Sequence, residues 1–508
     1  MRPYPAQVFG NSRAAYDAIV KKLSGPEATR LDHAGAERHV AADGLELLRC
    51  LMQDWADLCA EREKKAVTPV RGADGEERTE IRPSSRPLGT LHGTIVVHRV
   101  ALVKHGVAGG LHPLDAYLNL PEGKYSFGVQ REIAWGVAQT SYDATVENIR
   151  RTTGTRIAKR QAEELVVSFA ADFQDFYFEQ VKRPECAEHL LVLTFDGSGI
   201  VMRPEGLRPE TRNRAEKSRR KTVAETSADV HRPVEASNRK RMAEVAAVYS
   251  LEPVSRTPDD VMRELRRDGP RKVRPKAQNK RVWASLEKSI VDVVDEAFIE
   301  AMQRDEHYRR RWVALVDGNT DQIAAIKQMA NNCGAAVTIV VDFIHVLGYL
   351  WKAGKALNES ADAAAIEAWV TERAERILRG DACLVAAAIR RSATGRSLRD
   401  KRRKAVDKCA NYLLNHKEFL RYHEYLRDGV PIATGVIEGA CRSLVQDRMD
   451  ITGARWGLTG AEAVLKVRSL RASGDFDDYA GFHERQELER NHLDHYDENE
   501  LGDLREAA

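Results

Sequence analysis

The chain has 508 residues, 43% of them hydrophobic, and sets 79 Lys and Arg against 76 Asp and Glu for a net charge of only +3. That length and apolar share exclude a disordered polymer and predict roughly two to four domains, while a near-neutral total at 31% charged residues means the two signs are segregated locally. No apolar run approaches about 18 residues and the start, MRPYPAQVFGNSR, lacks a signal-peptide core, which speaks against helical membrane spans and secretion; seven scattered cysteines without a C-x-x-C pair speak against a disulfide framework or zinc ribbon, so a cytoplasmic protein is expected.

Residues 33–64 carry apolar positions at helical spacing and predict one or two amphipathic helices. Residues 65–88, charged and containing Gly, Pro and Ser, predict a loop or linker. Residues 89–104 (GTLHGTIVVHRVALVK) are β-branched with partial alternation and predict a strand or small hairpin. From 124 to 180 the pattern is helical again. Within it, residues 141–170 predict two helices joined by a short turn at Thr153, Gly154 and Thr155. Arg156, Lys159 and Arg160 open the second helix, where a helix-turn-helix would meet base edges. An ordinary αα-hairpin with a solvated basic face fits the same residues.

Residues 188–196 predict a strand ending at Asp196, then a GSG turn and a second short strand, IVMR. Residues 203–241 are polar and basic, including Arg219, Arg220 and Lys221, and predict a flexible excursion. A third strand is expected in AEVAAVYSL. A second basic stretch covers 262–281, and 283–303 predict a long helix. A strand ending at Asp317, a helix, and a strand carrying Asp342 and His345 follow. Residues 346–430 are helical throughout, and Glu438 sits in TGVIEGACR at a helix start. The tail from 484 is highly charged and is expected to fray.

The order β-β-β-α-β-α-β predicts a mixed α/β domain of ribonuclease-H-like type. Its first strand would be central and the strand after the first long helix would lie beside it. Asp196 and Asp317 would then be neighbours, each followed by a glycine that permits close approach. Glu438 would reach them from a helix over the same end of the sheet. Three such carboxylates suit a pair of divalent cations, Mg2+ or Mn2+, acting on a phosphodiester. Asp342 competes for the second position, but its strand should lie one place further out. Asp342 and His345 are therefore assigned to a supporting role or to the DNA path. Arg442 could face a phosphate or form a surface salt bridge. Trp456 could stack on an unpaired base or anchor the C-terminal helix.

LTFDGSGIVMRPEGLR, VDGN, VDFIHVLGYLWKA, HPLDAYLNLPEGKYS and especially RMDITGARWGLTGAEAVLKVRSLRASGDFDDY resemble bacterial insertion-sequence transposases of the ISKra family. The resemblance runs from about Arg86 to Tyr479 and does not extend to the first 85 residues. It implies a DDE transposase with a ribonuclease-H-like catalytic domain, in which Asp196, Asp317 and Glu438 match the acidic triad and DFIH matches the aspartate-x-x-histidine element. It further implies two-metal cleavage and strand transfer at terminal inverted repeats and target DNA, by an enzyme oligomeric on DNA and nucleoid-associated when bound. A nuclease or resolvase that cuts without joining, and a helix-turn-helix regulator with an inactive catalytic domain, are the alternatives. The expected domains are 1–85, helical and unassigned; 86–180, DNA-binding; 186–345, the catalytic core; 346–430, an all-α insertion; 431–483, the rest of the core; and 484–508, the tail.

Overall fold

The computed structural model describes residues 9–182, 184–225, 239–266, 275–358, 362–451 and 453–497. The chain forms two units, residues 1–179 with 475–508, and residues 180–474.

In the first unit, α1 (Gly10–Ser24) packs along α2 (His33–Ala66), a single 34-residue helix. Asp32 starts α2 by accepting the Gly35 N–H at 2.7 Å. The far half of α2 lies on a hairpin, β1 (Glu80–Thr90) and β2 (Gly93–Val103), and Ala56, Cys59, Ala60, Leu88, Ile95 and Val97 form their shared core. Residues 65–88 are thus not simply a linker. Pro83 and Pro87 suggested a loop, but a two-stranded ribbon leaves an edge free on each strand, where proline is tolerated. A division at 85/86 would cut through β1.

Four helices follow: α3 (Phe127–Gln139), α4 (Tyr142–Thr153), α5 (Lys159–Phe169) and α6 (Phe173–Glu179). Ser126 caps α3 and Ser141 caps α4. Gly154 ends α4 at φ +74, a left-handed position that suits glycine. α3, α4 and α5 pack on one another. The helix Phe476–Asn491 belongs to this unit, and not with residues 431–474 as expected. Its Phe476, Tyr479 and Phe482 pack among Phe169 and Phe176, and Asp172 binds His483 Nδ1 at 2.6 Å and Arg490 at 3.1 Å. The described part of the charged tail, residues 484–497, is accordingly packed rather than frayed, with Tyr496 buried.

The second unit is mixed α/β, built on a five-stranded sheet of order β5-β4-β3-β6-β7. These are β3 (Leu190–Val201), β4 (Lys240–Leu251), β5 (Gln278–Ser285), β6 (Trp312–Val316) and β7 (Val337–Val341). β3 is central, antiparallel to β4 and parallel to β6; β5 is antiparallel to β4, and β7 parallel to β6. α7 (Ile290–Arg304) leads into β6, and α8 (Thr320–Cys333) leads into β7.

Three local expectations change. GSG is not a turn: β3 runs unbroken through it, and its two glycines make room for β4. A Cβ on Gly197 would meet Met242 at 3.0 Å, and one on Gly199 would meet Lys240 at 2.9 Å. The third strand is Gln278–Ser285, hidden at the end of a basic stretch and in residues expected to start the long helix. Asp342 and His345 are not within a strand: β7 ends at Val341, and Asp342 caps α9 (Phe343–Leu357).

The basic segments are partly regular. Residues 203–241 include the helix Pro209–Glu225, and 262–281 include the end of the helix Pro258–Arg266 and the start of β5. Arg219, Arg220 and Lys221 fall on the helix Pro209–Glu225, but their side chains lie outside the described ones. α10 (Ala363–Leu378), α11 (Ala382–Gly395) and α12 (Asp400–Asn415) continue the all-α insertion that α9 begins. α13 (Gly435–Ala440) passes into a π-helical turn, Cys441–Gln446, over β3 and β4. α14 (Leu458–Ser473) packs on β5.

Candidate active site

β3 and β6 run parallel with Thr194 level with Leu315. Continued by two residues, that register sets Asp196 level with Asp317. β6 and β7 are level at Val316 and Val341, which sets Asp342 beside Asp317. Three aspartates thus form a row across the carboxyl ends of adjacent strands. Level residues on neighbouring strands direct their side chains to the same face, with strands about 4.8 Å apart.

The three differ in surroundings. Asp196 is half-buried. It accepts the Gly197 N–H at 2.7 Å, and the buried Cys441 thiol donates to its Oδ2 at 3.5 Å. Burial holds the Asp196 carboxyl above the ordinary carboxylate range, and the nearby charge of Asp317 adds to the shift. Asp317 is half-buried and accepts the Asn319 N–H at 2.8 Å. Its backbone is fixed by the insertion: the Tyr412 hydroxyl donates to the Asp317 carbonyl at 2.6 Å, and His416 Nε2 lies 2.9 Å from the Gly318 carbonyl. Gly318 has φ +91, and a Cβ there would meet the Tyr412 hydroxyl at 2.7 Å. Asp342 is fully buried. One oxygen accepts the Ile344 N–H at 2.5 Å, and the other accepts the Thr434 N–H at 2.9 Å and the Thr434 hydroxyl.

Glu438 is exposed on α13. Burial raises its pKa first, and Asp342 and Asp196 raise it further, so α13 brings Glu438 into the field of the aspartate row. His345, in the first turn of α9, acts on both Asp196 and Glu438 in the opposite sense. Its buried Nδ1 has no hydrogen-bond partner among the described residues.

Glu244 was not anticipated. It stands opposite Gly197 on β4, and burial, Asp196 and Asp317 all push its pKa up, against Arg208. Its signal was available: Glu244 is the one charged residue in AEVAAVYSL, an apolar run that a charge seldom interrupts without a partner.

Other candidates fall elsewhere. Arg442 is exposed and pairs with Asp447 at 3.6 Å, the surface salt bridge of the two options. Trp456 is buried; its Nε1 donates to the Met449 carbonyl at 3.0 Å, Arg448 covers its ring, and its backbone bridges to β3. Trp456 is therefore an anchor and not a stacking platform. Arg156, Lys159 and Arg160 are exposed in the first unit, at the junction of α4 and α5. Lys159 pairs with Asp143 at 2.6 Å and Arg160 with Glu164 at 3.1 Å, exposed contacts worth little.

Among the described residues, the group whose ligand atoms all lie within 4.8 Å of one another is Asp172, His483 and Glu487, which could hold a metal ion. Arg490 already binds both oxygens of Asp172, so a cation there would face a guanidinium. Asp196, Asp317 and Glu438 do not close into so tight a group. Their carboxylates do fit divalent cations in donor type, since the charges acting on Asp196 and Glu438 are mainly those of other carboxylates.

No protein-family model matches the chain, and no curated protein matches it.

Proposed function

We propose that residues 180–474 form a ribonuclease-H-like catalytic domain and that the protein is a DDE transposase of an insertion sequence, of the ISKra type. The observation that carries this is the level placement of Asp196 and Asp317 on the central strand and its parallel neighbour, with Glu438 supplied from a helix over that end of the sheet. A central first strand, with β4 antiparallel beside it and β5 again running its way on one side, and two parallel strands on the other, is the order this fold requires. Asp196, Asp317 and Glu438 would hold two Mg2+ or Mn2+ ions, which supply Lewis acidity and neutralise charge at a phosphodiester.

The chain's own residues position and tune. Tyr412 and His416 fix the Asp317–Gly318 turn. The Cys441 thiol orients Asp196 by donating to Oδ2, which leaves Oδ1 to the Gly197 N–H. His345 tempers the repulsion between Asp196 and Glu438. DNA cleavage here rests on positioning and charge neutralisation rather than on a protein nucleophile. Residues 141–170 would bind the terminal inverted repeats in duplex DNA, and the enzyme would act as an oligomer on DNA.

The test is incubation of the full chain with DNA carrying the element's ends and with target DNA, with Mg2+, with Mn2+ and with chelator. Metal-dependent nicking and joined products support the proposal. Cutting without joining would favour a nuclease or resolvase, and sequence-specific binding without cutting would favour a regulator.

A further inference from the structure

The all-α insertion carries charge and aromatic surface that neither the acidic site nor the core uses. α9 and α12 run antiparallel. Near one end Arg402 Nε donates to the Ala356 carbonyl at 2.9 Å. Near the other, Tyr349 stacks on Tyr412 with ring centroids 4.0 Å apart and planes 22° from parallel. Tyr412 in turn bonds the Asp317 backbone. This end of the helix pair therefore adjoins the acidic row.

On α12, Lys401, Lys404 and Lys408 follow one another at spacings of three and four, so they share one stripe that leads toward Tyr412. On α9, Lys352 sits one turn beyond Tyr349. All four lysines are exposed, and no ion-pair partner for them is found among the described residues. Several other basic side chains of the insertion do have acidic partners: Arg403 pairs with Asp407, Arg373 with Glu372 and Arg379 with Glu375. Lys352 and Lys408 place their ammonium groups 5.5 and 5.8 Å from the Tyr349 ring centre, so charge and aromatic surface converge where the stripe meets the site.

We infer that Tyr349, Lys352, Lys401, Lys404 and Lys408 form a track that holds one DNA strand and delivers it to Asp317. This deepens the proposed function and rests on it for the identity of the partner. The dimensions fit. The eleven helical steps from Lys401 to Tyr412 rise about 16 Å along the helix, a length over which a duplex strand presents roughly five phosphates. Lysines spaced along that length meet phosphates without reading sequence. Tyr349 offers a ring at the end of the track nearest the acids, where a base displaced from its stack can pack.

The test is binding of the full chain to a fluorescent random-sequence DNA with a single-stranded tail, in chelator, across a salt series. Replacing Lys401, Lys404 and Lys408 together with Ala is expected to flatten the plot of log affinity against log salt by about 2–3, near 0.9 for each phosphate that is no longer neutralised. Replacing all three with Arg should restore the slope. Tyr349→Ala is expected to weaken binding of the tailed DNA about tenfold, with Tyr349→Phe close to wild type. An unchanged slope in the alanine variant would overturn the track, as would a wild-type protein that binds no DNA at low salt. Cleavage by the wild type in Mg2+ or Mn2+ is scored separately. If it is absent while the slope still falls, the track stands and the catalytic proposal fails.

Discussion

Thr434 donates both its backbone N–H and its hydroxyl to the carboxylate of Asp342. With Ile344 on the other oxygen, this aspartate is occupied as a structural acceptor, joining the start of α9 to the segment that leads into α13. Asp317, level with it on the next strand, accepts only the Asn319 N–H among the described hydrogen bonds of its carboxylate.

Asp196→Asn, Asp317→Asn and Glu438→Gln are each expected to lower metal-dependent cleavage by about a thousandfold or more while DNA affinity changes little, since a missing ligand removes transition-state stabilisation. Asp342→Asn should act differently. It breaks a helix cap and a buried bond to Thr434, and should cost roughly 1–3 kcal/mol in urea unfolding. Cleavage per folded molecule should survive better than in Asp317→Asn. Asp342→Asn that is fully folded yet inactive would make Asp342, not Asp317, the second ligand.

Asp196, Glu244 and Glu438 all have raised pKa values, each mainly through burial and further through neighbouring carboxylates. A carboxyl raised in the folded state binds its proton more tightly than in the unfolded chain. Its contribution to stability is complete below the unfolded values near 3.8 and 4.5 and is lost as pH rises through the folded ones. Metal-free protein should therefore become less stable across this cluster from about pH 4 upward. Mg2+ or Mn2+ should restore stability at neutral pH, and Asp196→Asn should remove most of that restoration. Thermal melts with and without metal at pH 5 and pH 7.5 check this; a metal-induced rise no larger at pH 7.5 than at pH 5 contradicts it.

Gly318→Ala places a side chain at φ +91 and against Tyr412, so it should cost at least about 1–2 kcal/mol and reduce cleavage. Tyr412→Phe removes only the bond to the Asp317 carbonyl, about 1 kcal/mol. It also clears the closest approach to the new methyl group, so the double variant should lose less than the sum. Strict additivity in a double-mutant cycle would separate the two residues.

Replacing Arg156, Lys159 and Arg160 with Ala should erase preference for terminal-repeat over random duplexes, each base-contacting side chain being worth about 1–3 kcal/mol, while nicking of random DNA persists. A preserved ratio would reduce α4 and α5 to an αα-hairpin.

The five-stranded sheet was largely legible because buried strands write themselves as apolar runs: LLVLTF, WVALV and VTIVV are all sheet. Asp196 and Asp317 were visible as charges abutting such runs. β5 was not, because it begins with QNK, three exposed residues typical of a loop. Glu244 shows in the sequence only as a lone charge in AEVAAVYSL, with nothing to place it opposite Gly197. The limit of the second unit was misjudged because α14 and Phe476–Asn491 are both good helices. Only long-range contacts, such as Tyr479 with Phe169 and His483 with Asp172, assign the latter to the first unit.

That assignment affects how the protein is made. Phe169, Phe173 and Phe176 are buried in a unit that is finished by a helix some three hundred residues downstream. A nascent chain exposes this aromatic surface while residues 180–474 are still being synthesised. The continuous unit can close as soon as it clears the ribosome, whereas the discontinuous one must wait. Synthesis halted near residue 474 would release a polypeptide with a complete sheet but an open, aggregation-prone N-terminal core.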